Sequence, residues 1–165
     1  MWRKFCSLTL MIKSIEPTSE IIKFDFLFWS DYWRNPPEIE ISIDGNVYAN
    51  QLLNEKYNSI NFITKLHFTH HILQIKRTGK TVNESRLVNG EWESQTAILH
   101  SLEIDGINLR NILWSRSTFT PVYDVGQSGE EVVKGECNFS YNGTWELKFD
   151  SPVYQFVVDC VRGAK

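Results

Sequence analysis

The amino-acid sequence predicts an all-β fold, an antiparallel β-sandwich or jelly roll of about nine or ten strands with little helix. Three features predict it: apolar and polar residues alternate in most segments, turn-forming residues separate those segments, and aromatic residues make up 13% of the chain. Aromatic side chains favour the half-buried surface of a sheet. The chain of 165 residues suits one core, so we expect a single β-sandwich domain over residues 1–165.

Alternation is clearest in residues 21–29, where one face carries Ile22, Phe24, Phe26 and Phe28. The same period of two occurs in further segments, which are 6–12, 38–44, 61–68, 71–75, 98–105, 145–150 and 153–161. One apolar and one polar face per strand is the pattern of antiparallel sheets packed on a core.

Three of these strands have specific expected faces. In the first, the shared face carries Cys6, Leu8, Leu10 and Ile12. In 98–105 the buried face carries Ile98, Leu102 and Ile104. In the last strand the shared face carries Tyr154, Phe156, Val158 and Cys160.

Turn residues separate the strands. Residues that tolerate a positive φ occur at Asp44-Gly45, Thr78-Gly79, Asn89-Gly90 and Asp105-Gly106. Tyr141-Asn142-Gly143-Thr144 lies between two alternating runs, which predicts a type I′ hairpin. Residues 49–57 are the one segment where we expect a short helix.

Charge and composition exclude several classes of partner. The net charge is −3 and no block of Lys or Arg occurs, so we expect no nucleic-acid partner. The apolar run near the N-terminus is short and is followed by Lys13, Glu16 and Pro17, which argues against a signal peptide. No run reaches transmembrane length, so we expect no membrane partner.

Catalytic and metal-binding motifs are also missing from the sequence. It lacks a G-x-S-x-G, P-loop, G-x-G-x-x-G or H-E-x-x-H pattern, so we predict a protein that is not an enzyme and has no catalytic residues. The three cysteines form no C-x-x-C, and we expect reduced thiols, with a Cys137–Cys160 bridge as the alternative. His67, His70 and His71 lie too far apart on one strand to share a metal without another strand's help.

The most distinctive segment is the aromatic run at 28–37, which leaves the regular alternation and enters a loop. Trp and Tyr beside polar groups can stack on a sugar ring and bind its hydroxyls. We therefore predict a ligand-binding site, for a glycan or a partner, made of Trp29, Asp31, Tyr32, Trp33 and Arg34. The alternative is that these rings pack against the core or a subunit. Trp92 and Trp114 have the same two interpretations.

Residues 70–109 resemble the core of small β-sandwich carbohydrate-binding modules that recognise xylan-type glycans. The matching pieces are His71, Leu73 and Ile75, then Gly79-Lys80, then Leu102-Glu103-Ile104-Asp105-Gly106. The sequence also resembles domains of bacteriophage particle proteins, in which the Ile-Asp-Gly strand recurs. They also share a closing run, which here is Trp145-Glu146-Leu147-Lys148-Phe149-Asp150-Ser151-Pro152-Val153-Tyr154.

The resemblance implies the same fold and a glycan ligand, and in that family it implies calcium. The family's calcium-binding acid has no clear counterpart here, where Glu93-Ser94-Gln95-Thr96 stands in its place. We therefore predict no cofactor, with calcium as the alternative and Asp105 as a weak candidate metal ligand.

Together these observations predict a non-catalytic β-sandwich that acts in assembly or recognition. The first hypothesis is a structural or adsorption component of a phage particle, located in the virion. Its partners would be other particle proteins, further copies of itself or a surface glycan. The alternative hypothesis is a stand-alone carbohydrate-binding module that recognises a polysaccharide through its aromatic loop.

Overall fold

The computed structural model describes residues 18–163, which form two antiparallel sheets packed face to face and one separate hairpin. The strands are β1 (Ser19–Asp31), β2 (Glu38–Ile43), β3 (Asn46–Leu52), β4 (Tyr57–His67), β5 (His70–Thr78), β6 (Ser85–Val88), β7 (Glu91–Ser94), β8 (Thr96–Ile104), β9 (Ile107–Asn108), β10 (Ser117–Val122), β11 (Val133–Lys134), β12 (Asn138–Phe139) and β13 (Asn142–Asp150). The helices are a 3₁₀ turn (Val82–Glu84), α1 (Arg110–Arg116) and α2 (Val153–Arg162). The predicted antiparallel β-sandwich is confirmed.

Strand order divides the chain between the two sheets. The first sheet has the order β12-β8-β1-β4, with β9 paired to β8, and the second has the order β11-β10-β13-β5-β2-β3. Strands β6 and β7 pair only with each other among the described residues. The predicted strand at 6–12 lies outside the described residues.

The core between the sheets is built from the inward faces that the alternation predicts. Ile22, Phe24, Phe26 and Phe28 are all buried on β1. Three aromatic pairs cross from one sheet to the other, namely Phe24–Phe149, Tyr48–Phe62 and Phe119–Phe139, with ring centres 6.1, 4.6 and 5.3 Å apart. Such pairs add to the stability that burial alone provides.

Strand β8 departs from the predicted face because it contains a β-bulge. Leu27 pairs with Ser101 and Phe28 pairs with Leu99, so His100 is an extra residue in the ladder. Ala97 and Leu99 are therefore buried before the bulge, whereas Leu102 and Ile104 are buried after it. The expectation that Ile98 shares the buried face is wrong.

The predicted strand at 153–161 is also wrong, since this segment forms α2. Val153 and Phe156 are buried, and Val157 and Cys160 pack against the core, which is the i, i+3, i+4, i+7 spacing of a helix. Glu20 of β1 accepts hydrogen bonds from the Val153 amide and the Ser151 hydroxyl, at 2.8 and 2.5 Å. This carboxylate satisfies an otherwise unpaired amide at the start of the helix.

Two further local predictions are wrong. Residues 49–57 are not helical, since β3 ends at Leu52 and β4 begins at Tyr57. The predicted hairpin at Tyr141–Thr144 is absent, because Asn142 and Gly143 already belong to β13. Gly143 lies between two partner residues, Pro121 and Arg77, and a Cβ there would lie 2.5 Å from the Thr120 carbonyl oxygen. The glycine therefore permits close packing of strands.

The two Asp-Gly turns are confirmed, and they share one hydrogen-bond pattern. Asp44 donates its amide to the Ile72 carbonyl, and its Oδ1 accepts the Ile72 amide at 2.9 Å. Asp105 makes the same pair of bonds with Lys23, with the amide accepted by Oδ1 at 2.8 Å. Each aspartate thus extends the ladder of the neighbouring strand. Among residues 18–163, no three His, Cys, Asp or Glu side chains are grouped to hold a metal.

Cys137 and Cys160 are both free thiols, so the alternative of a bridge between them is wrong. Burial raises the pKa of Cys137 to about 11, with a smaller contribution from Glu136, so this thiol is protonated at neutral pH.

Within residues 18–163, no helix has the length and apolar character needed to span a bilayer.

Replacement of Asp105 tests its structural role. We expect Asp105→Ala to lower the free energy of unfolding by about 1–3 kcal/mol, since the Lys23 amide loses its acceptor. Asp105→Asn keeps an acceptor and should cost less. Urea unfolding in the presence and absence of calcium measures both. Stabilisation of the wild type by calcium that Asp105→Ala abolishes would show instead that this aspartate is a metal ligand.

Candidate functional site

The aromatic loop lies at one end of the sandwich, where β1 leads into β2. Trp29 is half-buried near the end of β1, and Tyr32 donates its hydroxyl to the Asn54 carbonyl at 2.7 Å. Trp33 is 38% exposed, and the Arg86 guanidinium carbon lies 4.5 Å from its ring centre. One face of Trp33 is thus occupied by a cation, which fixes the orientation of the ring.

Three of the five predicted site residues line one pocket of about 310 Å³, which we call the loop pocket. Its lining residues are Asp31, Tyr32, Trp33, Arg86, Glu93 and Ser94. Trp29 lines an adjoining pocket of about 290 Å³, which also contains Asp31 and Tyr32. Arg34 is exposed and lines neither of these two pockets.

The β6–β7 hairpin forms the opposite wall of the loop pocket. Its turn is Asn89-Gly90, where φ is 52° and 87°. Arg86 on β6 and Glu93 on β7 are cross-strand partners and form a salt bridge of 2.5 Å. The sequence did not identify these two residues, because neither lies in the aromatic run and their pairing depends on the hairpin register.

A second pocket of about 610 Å³, which we call the lysine pocket, lies beside the same hairpin. Trp92 and Tyr141 supply its aromatic surfaces, and Trp92 is 73% exposed. The Lys80 ammonium donates to the Ser94 hydroxyl at 2.7 Å and lies 5.6 Å from the Tyr141 ring centre. Burial lowers the pKa of Lys80, as does Arg77 to a smaller extent, while Asp124 acts in the opposite direction.

Arg77 of β5 is a buried cation that is fully inaccessible to solvent. It donates one bond to the Asn142 side chain at 2.8 Å and two to Gln95, to the side chain at 2.5 Å and the carbonyl at 3.2 Å. Burial lowers its pKa to about 10, and the nearby Glu84 carboxylate partly opposes that shift. Charge burial of this kind requires good hydrogen-bond partners.

The partners of Arg77 extend the network into the loops. Asn142 accepts the Lys80 amide at 3.0 Å and donates to the Lys80 carbonyl at 2.8 Å. Gln95 donates to the Asn35 carbonyl at 2.8 Å, and the Asn35 side chain donates to buried Glu84 at 2.7 Å. The loops that carry both pockets are therefore attached to one buried group.

The chemistry that these pockets offer is stacking and hydrogen bonding. Exposed indole and phenol rings lie beside carboxylates, an ammonium group and serine hydroxyls. Such a combination of a few polar groups and aromatic faces is typical of sites that bind small polar ligands.

The comparisons with known proteins concern the fold. No protein-family model matches the sequence, and no curated protein matches it. A solved structure described as vCBM60 in complex with galactobiose has 9% identity and a TM-score of 0.50, covering 76% of this chain and 96% of its own. A second structure of vCBM60, assigned to calcium-dependent carbohydrate-binding modules, has 10% identity and a TM-score of 0.51, covering 76% and 89%.

At this identity the likeness shows a shared fold. The chain has the β-sandwich architecture of carbohydrate-binding modules, as the resemblance of residues 70–109 led us to expect. Function on a common fold depends on the residues of its sites.

Removal of the buried guanidinium tests the network. We expect Arg77→Met to lower the free energy of unfolding by about 3–5 kcal/mol, because Gln95 and Asn142 lose their hydrogen-bond donor and Glu84 loses a nearby positive charge. Lys76→Met on the exposed face of the same strand is the matched control and should have little effect. Denaturant unfolding measures both.

A double-mutant cycle separates the charge from the packing. Glu84→Gln removes the carboxylate charge that lies near Arg77. We expect the double variant with Arg77→Met to cost less than the sum of the two single changes, because the second charge is no longer left unpaired. Strict additivity would contradict coupling between these residues.

Proposed function

We propose that this protein binds a carbohydrate through the loop pocket, with Trp33 and Tyr32 as the aromatic groups and Asp31 as a hydrogen-bond acceptor. The observation that carries the proposal is the meeting of the aromatic loop and the hairpin around one open pocket of about 310 Å³. Trp29 extends the aromatic surface into the adjoining pocket. Non-catalytic recognition is consistent with the carbohydrate-binding-module fold.

The physical argument rests on the pre-formed geometry of the pocket. Trp33 is held by Arg86, Tyr32 by the Asn54 carbonyl and Arg86 by Glu93. A ligand that binds between such fixed groups does not have to order them, so less affinity is lost on binding. Sugars present apolar C–H faces to aromatic rings and hydroxyls to carboxylates, which matches this lining.

Calcium is a variable of the binding experiment and is not a component of the proposed site. The second of the two similar solved structures is described in connection with calcium-dependent carbohydrate-binding modules. Asp105, the weak candidate metal ligand, has an oxygen that accepts the Lys23 amide. Asp31 and Glu93 are the carboxylates of the loop pocket, and a two-acid lining does not make a calcium cage, which takes about 6–8 oxygen ligands. The proposal therefore requires no calcium at the loop pocket, and the binding experiment tests this.

Replacement of one exposed indole tests the proposal. We expect Trp33→Ala to weaken binding of soluble xylan or galactobiose about 10-fold to 100-fold, which corresponds to about 1.4–2.8 kcal/mol. The melting temperature should stay nearly unchanged. Trp114→Ala is the matched control, because Trp114 is 64% exposed and lies away from the loop pocket. Calorimetric titration with calcium and with a chelator gives the affinities.

Two results would contradict the glycan proposal. The first is no binding of any sugar across a glycan array by the wild type. The second is equal loss of binding in Trp33→Ala and Trp114→Ala. A loss of stability by several kcal/mol in Trp33→Ala would support the alternative that the ring is structural.

A second candidate function is assembly as a structural or adsorption protein in a phage particle. Exposed apolar side chains on the outer face of the first sheet favour it, since Ile21 is 72% exposed and Ile63 is 66% exposed on adjacent strands. Exposed apolar groups close together are typical of surfaces that bind other proteins. The virion location and particle-protein partners remain predictions that this surface alone supports.

The assembly candidate makes a separate prediction. If the outer face buries against further copies, native mass measurement at micromolar concentration should show an oligomer, and Ile63→Lys should convert it to monomer. Val125→Lys, on a loop away from that sheet, should leave the mass unchanged. A wild type that stays monomeric and binds no particle protein would contradict this candidate.

A further inference from the structure

The β6–β7 hairpin divides the loop end into two faces. Cross-strand partners lie on the same face of a hairpin, and consecutive pairs lie on opposite faces. Arg86 and Glu93 are one such pair, and the flanking pairs are Ser85–Ser94 and Leu87–Trp92. The loop pocket and the lysine pocket therefore lie on opposite sides of the hairpin, with Ser94 at its base lining both.

The lysine pocket resembles the loop pocket in its chemistry although it shares only Ser94 with it. Each pocket has an exposed indole, a tyrosine ring, a carboxylate and a cation, with Trp92, Tyr141, Asp124 and Lys80 in the lysine pocket. Each cation lies against an aromatic ring, Arg86 on Trp33 and Lys80 on Tyr141. The two sites thus offer stacking and polar contacts of the same kind.

The floor of the lysine pocket is rigidly held. Lys80 donates to the Ser94 hydroxyl and to the Ser140 carbonyl, at 2.7 and 2.5 Å. Its main chain is bonded on both sides by Asn142, which accepts from Arg77. An ammonium group has three hydrogens, and these two bonds leave one for a ligand. Trp92 stands above this floor with its ring largely exposed.

We propose that the lysine pocket is a second carbohydrate site, so that one chain binds a polysaccharide bivalently, with one sugar segment on each face of the β6–β7 hairpin. This inference rests on the proposed function of the loop pocket. Two sites on one rigid body make the second binding event intramolecular when the polymer reaches both. A disaccharide such as galactobiose fills each site separately.

The stoichiometry of a short ligand tests the second site. In a two-dimensional NMR titration with galactobiose, we expect the indole N–H signals of Trp33 and Trp92 to shift as two saturable sets. Trp33→Ala should abolish the ligand-induced shift of the Asp31 backbone amide in the loop pocket and leave the shift of the Trp92 indole. In Trp92→Ala the Tyr141 backbone amide of the lysine pocket should no longer shift, while the Trp33 indole still does. Trp114→Ala is the control and should leave both sets of shifts unchanged.

The affinity for a polymer tests bivalency. Two linked sites raise the apparent affinity about 10²–10⁴-fold over one site. We expect the wild type to bind a soluble galactan at least about 100-fold more tightly than galactobiose. Each single variant, Trp33→Ala or Trp92→Ala, should lose that advantage, while Trp114→Ala keeps it. Circular dichroism melting confirms that the variants remain folded.

The failures of the two proposals give different results. Shifts of Trp33 alone, with a Trp92→Ala variant that binds galactan as tightly as the wild type, would overturn the second site and leave the loop-pocket proposal standing. Shifts at both indoles without a polymer advantage would overturn bivalency. The absence of any shift with galactobiose, galactan or xylan would overturn the loop-pocket proposal and this inference together.

Discussion

The loop end of this protein depends on the burial of one positive charge, the guanidinium of Arg77. Burial of a charge inside a sandwich of apolar faces costs much less free energy when neighbouring groups accept hydrogen bonds from it. Here the acceptors are Asn142 and Gln95, and Glu84 lies near as a counter-charge. Asn142 belongs to β13, Gln95 lies between β7 and β8, and Glu84 belongs to the 3₁₀ turn. Their interactions with one residue of β5 therefore fix the positions of segments far apart in sequence.

This attachment explains how irregular loops can present fixed pockets. The bonds of Asn142 hold the main chain at Lys80, and those of Gln95 and Glu84 hold Asn35. Loops positioned by a rigid scaffold are common carriers of binding residues. The buried polar network therefore links the stability of the core to the shape of the two pockets, and a ligand meets groups that are already ordered.

The core was predictable because the alternation of apolar and polar residues along a strand is a local pattern. The wrong predictions concern segments whose secondary structure depends on packing against residues distant in sequence. The segment that begins at Val153 carries apolar residues at both strand and helix spacing, and only its contact with the core and Glu20 selects the helix. Asn142-Gly143 has the composition of a turn, but both residues belong to β13, which lies between β10 and β5 in the second sheet. The aromatic loop was found because it breaks the alternation. Arg86 and Lys80 were missed because their contacts depend on pairing between distant segments.

The two Asp-Gly turns show which acidic residues are already engaged by the fold. Asp44 and Asp105 occupy equivalent turns in opposite sheets, and each uses a carboxylate oxygen to accept an amide of the adjacent strand. From sequence alone such an aspartate is indistinguishable from a ligand-binding acid. The structure separates them, since Asp31 and Asp124 line pockets whereas Asp105 completes a ladder. The similar modules share only 9–10% identity with this chain, so their fold does not identify its binding residues. The distinction between structural and pocket-lining acids instead favours the aromatic loop and the hairpin as the binding region.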